Sequence, residues 1–223
     1  MKINKMYYTF FAFLICYCSL TKLCLAGDGD NLFDMCPTGT THRTVFINGL
    51  PCKSPSDITA SDFKSSLLSD RGDTDNLHGS STTLATAADF PGLNTLGLST
   101  ARTDLDVDGA VLPHTHPRAS EMIFIRAGSV VVGFVDSSNR MFQKRLREGD
   151  VFLFPRGLLH FVYNAGFEDA EIYSVLNSQN PGMASIAGGL FAGNGSNVVE
   201  EMMMEKLKDV SMRDLDGVSI VDL

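Results

Sequence analysis

Apolar positions along the chain come in short runs broken by glycine or by small polar clusters. Runs rich in Val, Ile, Phe and Tyr cover residues 95–103, 122–126, 129–135, 141–146, 151–154, 159–163 and 170–176. Gly109, Gly128, Ser137-Ser138-Asn139, Gly149, Gly157 and Gly166 separate them. Short β-branched segments between closely spaced turn signals predict an all-β sandwich or barrel, and closure into a barrel would hide the sheet edges. Upstream, residues 69–85 are polar and poor in large apolar side chains, which predicts a surface loop; the tripeptide Arg71-Gly72-Asp73 within it reads as coincidence. Residues 44–62 read as an ordered but irregular arm, with Asn48-Gly49, Pro51 and Pro55 as turn formers. Downstream the period changes. Val198, Val199, Met202, Met203 and Leu207 recur at helical spacing between charges, which predicts an amphipathic helix over 197–209. Its apolar face packs on its own barrel or on a neighbouring subunit, and the pattern leaves both open.

The first residues follow another logic. Lys2 and Lys5 precede the apolar stretch 6–20, and Cys24-Leu25-Ala26 ends in a small residue. This reads as a secretory signal peptide over 1–26. A single membrane anchor is the alternative, but the run is shorter than the roughly 20 residues a bilayer needs. Residues 27–223 then form one domain: an N-terminal arm over 27–65, a barrel over 85–190 and a helical tail over 195–223. Losing three lysines with the leader takes the formal net charge from −8 to about −11, which argues against nucleic-acid and anionic-membrane partners. Of the five cysteines only Cys36 and Cys52 lie beyond the leader. In an oxidising compartment they read as one disulfide, stabilising by about 3 kcal/mol through loop closure, with two free thiols as the alternative.

Candidate chemistry concentrates in His114-Thr115-His116-Pro117-Arg118-Ala119-Ser120-Glu121. Residues i and i+2 of a strand share a face, so His114 and His116 point into one cavity. Pro113 and Pro117 require that strand to be short, bulged or at an edge, and the turn between would return Glu121 beside them. His160, between Leu159 and Phe161 in a later strand, is the fourth candidate. A buried imidazole there must be hydrogen-bonded or metal-bound, because an unpaired polar group costs about 1–3 kcal/mol. His42 and His78 read as surface residues. Three imidazoles and a carboxylate suit Mn, Fe, Ni, Cu or Zn with two positions open, and the lack of thiolates disfavours structural zinc.

These blocks resemble the two cupin motifs. His114, His116, Glu121 and Gly128 match the first; Gly149, Pro155, Gly157, His160 and Asn164 match the second. The chain is also similar to the plant germin-like proteins in Asn48-Gly49-Leu50-Pro51-Cys52-Lys53, in Pro113-His114-Thr115-His116-Pro117-Arg118-Ala119, and in Asn177-Ser178-Gln179-Asn180-Pro181-Gly182, which looks like the family's strand after the second motif. The resemblance implies a cupin (jelly-roll type) barrel with Mn held by His114, His116, Glu121 and His160. It also implies a Cys36–Cys52 bridge, a homohexamer built as a trimer of dimers, and secretion to the apoplast.

Departures from the pattern carry information. Asp108 stands where the first motif opens on glycine, so that turn could differ. Germins that oxidise oxalate carry Asn where this chain has Ala101 and Val111, so oxalate oxidation is not expected. The tail is less helical than the family's, with Gly217 interrupting it. Asn194-Gly195-Ser196 is an acceptor for N-glycosylation. What remains implied is superoxide dismutase activity, linked to defence or to peroxide production in the cell wall. The alternative is a non-catalytic extracellular cupin, a binding, receptor-like or storage protein with a structural metal, in which Ala101 and Val111 help to make an apolar cavity; Asn164 lines the cavity or serves a turn.

Overall fold

The computed structural model describes Thr38 and residues 50–186, 196–211 and 218–220, all within the unit Met35–Leu223. The expected signal peptide over 1–26, Cys36, His42, Asn194 and most of the expected N-terminal arm lie outside the described residues. Among the described residues, eleven strands form two antiparallel sheets. In chain order they are β1 (Ser80–Ala85), β2 (Ser99–Leu105), β3 (Ala110–Thr115), β4 (Glu121–Ala127), β5 (Ser129–Val135), β6 (Arg140–Arg147), β7 (Val151–Phe154), β8 (Leu159–Asn164), β9 (Ala170–Leu176), β10 (Ala184–Ser185) and β11 (Val218–Ile220). One sheet has the order β1-β2-β9-β4-β7, the other β10-β3-β8-β5-β6-β11.

Strict alternation sorts the side chains between faces. On β5, Val130 and Val132 join the interior cluster with Leu105, Ile123, Ile125 and Phe154, while Val131 faces outward. That outward face is covered by helix α1 (Ser196–Ser211), whose Leu207 and Met204 pack on Ala110, Val131, Phe161 and Tyr163. The helix thus uses part of its apolar face on its own barrel, whereas Val198 and Met202 stay 60% exposed. Two polar contacts support the docking: Lys208 Nζ to Asp108 Oδ2 (3.1 Å) and His78 Nε2 to Glu200 Oε2 (3.2 Å). His78, expected at the surface, is therefore half-buried.

Four expectations are corrected. The end of the polar segment 69–85 is strand β1, because Thr82 pairs with Thr103 and Leu84 with Ala101 across the ladder. The strand expected from 95 starts at Ser99, since Thr95 (φ 67°) and Gly97 (φ 66°) turn the chain first. Within the tail expected to be helical over 195–223, the helix is Ser196–Ser211 and Val218–Ile220 is strand β11, paired with β6. Residues 177–182 are a loop rather than a strand. Arg71 of the Arg-Gly-Asp tripeptide is ion-paired with Asp106 and Asp169. Among the described residues, no helix is long and apolar enough to cross a membrane.

The turn before β3 survives the loss of its motif glycine. Asp108 adopts φ 62°, the left-handed region that Asp tolerates better than most residues. Its carboxylate accepts from Tyr163 Oη at 2.6 Å and pairs with Lys208. Gly109 cannot be replaced so easily, because a Cβ there would lie 2.2 Å from the Gly79 carbonyl oxygen.

Candidate metal centre

Ladder register brings the histidines together. His114 on β3 lies opposite His160 on β8, and Val111 opposite Val162. Two residues of β3, Leu112 and Pro113, thus face one of β8, Phe161. This bulge lets Val111 and His114, three apart in sequence, both face the interior, and Pro113 falls in the irregular stretch, where a missing N–H is tolerated. His116 follows the end of β3, and a turn leads to Glu121 at the first position of β4 in the other sheet. That turn is clamped by the loop after β9. Ser120 N–H donates to Asn177 Oδ1 (2.7 Å), Arg118 Nε–H to the Asn180 carbonyl (2.6 Å), and Arg118 N–H to the Pro181 carbonyl (3.1 Å).

The four expected ligands meet. One donor atom from each of His114, His116, Glu121 and His160 lies within 4.8 Å of the others, and all three imidazoles are buried. Each histidine uses Nδ1 on a backbone carbonyl: His114 on Leu112 (2.8 Å), His160 on Leu158 (2.8 Å) and His116 on Gly182. A carbonyl only accepts, so Nδ1 carries a proton, and in the neutral ring each Nε2 presents a lone pair to the interior. Phe154 stacks on the His160 ring at 4.5 Å, holding its plane.

Electrostatics differ between the imidazoles. Burial, with His160 alongside, pushes His114 down to about 4. Burial opposes charge on His116 as well, but the Glu121 carboxylate and the Gly182 carbonyl outweigh it and raise its pKa. Burial pushes Glu121 up, yet the imidazoles of His116 and His160 and the Ser174 hydroxyl prevail and hold it below the usual carboxylate range. His116 Nε2 and His160 Nε2 each lie 3.3 Å from the same Glu121 oxygen, and His160 Nε2 is buried without a hydrogen-bond partner. Such an orphaned acceptor beside other lone pairs is costly unless a cation sits among them. The residues fit a divalent metal.

A cavity of about 120 Å³ adjoins the centre. Ala101 and Val111 line it, with Leu84, Val162, Ile172 and Leu176 among the other apolar walls. Asn164 does not line it. Its buried amide instead donates to the carbonyls of Leu105, Asp106 and Glu168 and accepts from Gly166 N–H, so the motif asparagine holds the turns beneath the barrel. Sequence reasoning missed Ser174, which had no motif to mark it, and the carbonyls of Leu112, Leu158 and Gly182, which only coordinates reveal. Cys52 is disulfide-bonded.

Comparison with known proteins agrees with this architecture. A cupin family model matches residues 66–205. Germin-like protein 11-1 of Oryza sativa subsp. japonica is 53% identical over 211 residues, covering 92% of this chain and 95% of its own. This chain belongs to the germin-like proteins of the cupin family. Germin-like protein subfamily 3 member 4 of Arabidopsis thaliana is 54% identical over 177 residues, 79% of this chain and 84% of that protein. Among solved structures, a recombinant oxalate oxidase in complex with glycolate superposes with a TM-score of 0.71 at 33% identity, covering 82% of this germin-like chain and 99% of that one.

Proposed function

We propose that this germin-like protein is a secreted Mn protein of the apoplast with superoxide dismutase activity, serving defence or peroxide production in the cell wall. The observation that carries the reading is the convergence of three Nε2 lone pairs and one carboxylate, each imidazole fixed by an Nδ1–H bond to a backbone carbonyl. Nitrogen and oxygen donors without thiolate suit Mn among the redox-active first-row metals, and the family resemblance favours it. A Mn ion held there would supply one-electron chemistry, taking an electron from one superoxide and passing it with two protons to the next, giving dioxygen and hydrogen peroxide. The chain's own share is positional. Leu112, Leu158 and Gly182 hold the imidazoles in one tautomer, Glu121 offsets the positive charge, and Ser174 steadies Glu121. Oxalate oxidation is disfavoured because neither Ala101 nor Val111 offers a hydrogen-bond donor to the cavity they line.

The partner we propose is the chain itself, as a hexamer built from dimers. The exposed apolar face of the five-stranded sheet supports this: Met122, Phe124, Val151, Leu153 and Val175 are 43–57% exposed. The apolar cavity supports a second reading, a non-catalytic binding cupin with a structural metal. Superoxide loss per bound Mn decides between them, with His160→Ala alongside. Activity that scales with Mn and vanishes in the variant supports the dismutase. A fully loaded protein no faster than the variant sinks it and leaves the binding protein.

A further inference from the structure

The cavity beside the metal centre has one sulfur in its wall. Met183 lines it together with His114, His116, Glu121 and His160, and is the one thioether among the described lining residues. Register explains the placement. Ala184 and Ser185 of β10 pair with Thr115 and His114 of β3, so continuing the ladder by one step sets Met183 opposite His116. Directly opposed residues of an antiparallel pair share a face. The Gly182 carbonyl, next to Met183, accepts from His116 Nδ1–H and ties the two segments together at that point. Packing does not call for a methionine there. Met183 is 62% exposed, whereas every other lining residue except Thr82 is buried or half-buried. It stands at the mouth, between the centre and solvent.

We propose that Met183 is a site of oxidation by hydrogen peroxide, and that its sulfoxide alters the metal centre from the cavity mouth. The inference rests on the dismutase reading for the source of the peroxide, which would be released into this cavity. A thioether is soft and polarizable, and peroxide converts it to a sulfoxide. The sulfur lone pair attacks one peroxide oxygen; an S–O bond forms, the O–O bond breaks, and the other oxygen leaves as water with both protons. Sulfur gives up two electrons and peroxide takes them. Two thiols passing to a disulfide reverse the step. The rest of the wall is aliphatic side chains, hydroxyls and the four metal-ligand candidates, none of them a thioether. Oxidation makes a flexible apolar side chain polar and chiral. The new oxygen is a hard donor of the kind Mn accepts, and it arises on the face that His116 shares.

The test uses the full secreted chain, loaded with Mn, its metal content measured, and dilute hydrogen peroxide added in steps. After each step catalase removes the excess and ascorbate returns the metal to Mn(II). Peptide mass spectrometry and Mn electron paramagnetic resonance are then recorded on the same sample. Met183 is expected to gain one oxygen at a rate within about threefold of Met202, which is 60% exposed, and the spectrum to change in proportion to Met183 oxidation. Met202→Leu is expected to leave that change intact. Met183→Leu, close in volume and at an exposed position, is expected to abolish it while Mn content holds. Oxidation of Met202 with Met183 untouched overturns the proposal. So does a spectrum that stays constant as Met183 is oxidised, or one that changes equally in Met183→Leu. A chain that takes up no Mn overturns the metal reading, and the effect on the centre falls with it. A loaded chain that forms no peroxide from superoxide sinks the dismutase reading alone, because the added peroxide still decides the case of Met183.

Discussion

The outer faces of the two sheets carry the same alternation of apolar residues and meet opposite fates. On the six-stranded sheet, Ala110, Val131, Phe161 and Tyr163 are buried, because α1 lies over them with Leu207 and Met204. On the five-stranded sheet, Met122 opposes Leu153 and Val175 in register and Phe124 opposes Val151, yet no described helix covers them. A contiguous apolar face of this kind is costly to leave in water and marks an interaction surface. Among the described residues one sheet is covered by the chain's own helix, and the other is bare, the face that the proposed assembly would use. The largest expected effect tests that contrast. Phe124→Glu with Leu153→Glu is expected to weaken self-association by about 100-fold or more, a desolvated like-charge clash across a symmetric interface, read by sedimentation as a loss of the high-mass species. Mn content should hold, since neither side chain reaches the cavity. An unchanged mass would mean that the bare face is not where the copies meet.

Inside the barrel the sheets differ in charge rather than cover. The six-stranded sheet contributes His114 and His160, the five-stranded sheet Glu121. In the metal-free protein the unfolded His114 takes a proton near 6.5, whereas burial in the fold holds it neutral down to about 4. Between those values the unfolded chain binds more protons, so stability falls as pH falls from 6.5 to 4. The full contribution is about 3 kcal/mol. His116, whose pKa is raised, works in the opposite direction and offsets part of it. Chemical denaturation of the metal-free protein across this range should therefore show a downward slope towards acid, and His114→Gln should flatten it. An unchanged slope in the variant would place the acid sensitivity elsewhere.

The covered sheet can be uncovered one residue at a time. Leu207→Ala empties the helix side of the outer cluster and is expected to cost about 2 kcal/mol, at the low end for a buried leucine because the site lies near the surface. Denaturant midpoints measure it, and sedimentation should show the same assembly as before. Loss of assembly instead would mean that α1 also serves the interface, as the exposure of Val198 and Met202 on the same helix allows.

How much of this was legible in the chain differs between the two faces as well. Strands β5 and β7 match the apolar runs residue for residue, because β-branched segments between turn residues leave little choice. All four metal-ligand candidates converge, since two motifs with fixed spacing encode a register. Strand β1 was hidden because Ser80-Ser81-Thr82-Thr83 carries no hydrophobic signal. It is an edge strand held by its ladder to β2 and by the Thr82–Thr103 contact, which is tertiary information. Only coordinates separate the two readings open for Asn164: a motif asparagine announces that an amide is needed, not whether it faces a ligand or three backbone carbonyls. The loop at 177–182 looked like a strand by family likeness, while its work is to clamp the turn that carries Glu121 into place.

The smallest effects lie where the helix meets the rim of the covered sheet, at Asp108. Three terms compete there: a left-handed backbone, an acceptor for Tyr163 and a partner for Lys208. Lys208→Ala removes only an exposed ion pair and should change stability by less than about 0.5 kcal/mol. Asp108→Gly restores the residue that the motif favours at φ 62° but gives up both contacts, for a net cost of about 1 kcal/mol or less. Asp108→Ala gives up the same contacts without the backbone relief, and should lie about 1 kcal/mol below the glycine variant in denaturant unfolding. That gap isolates the backbone term, because the two variants lose identical side-chain bonds. Equal stabilities would mean that the turn relaxes out of the left-handed region once the carboxylate is gone. The aspartate would then hold its own conformation through Tyr163 rather than merely tolerate it.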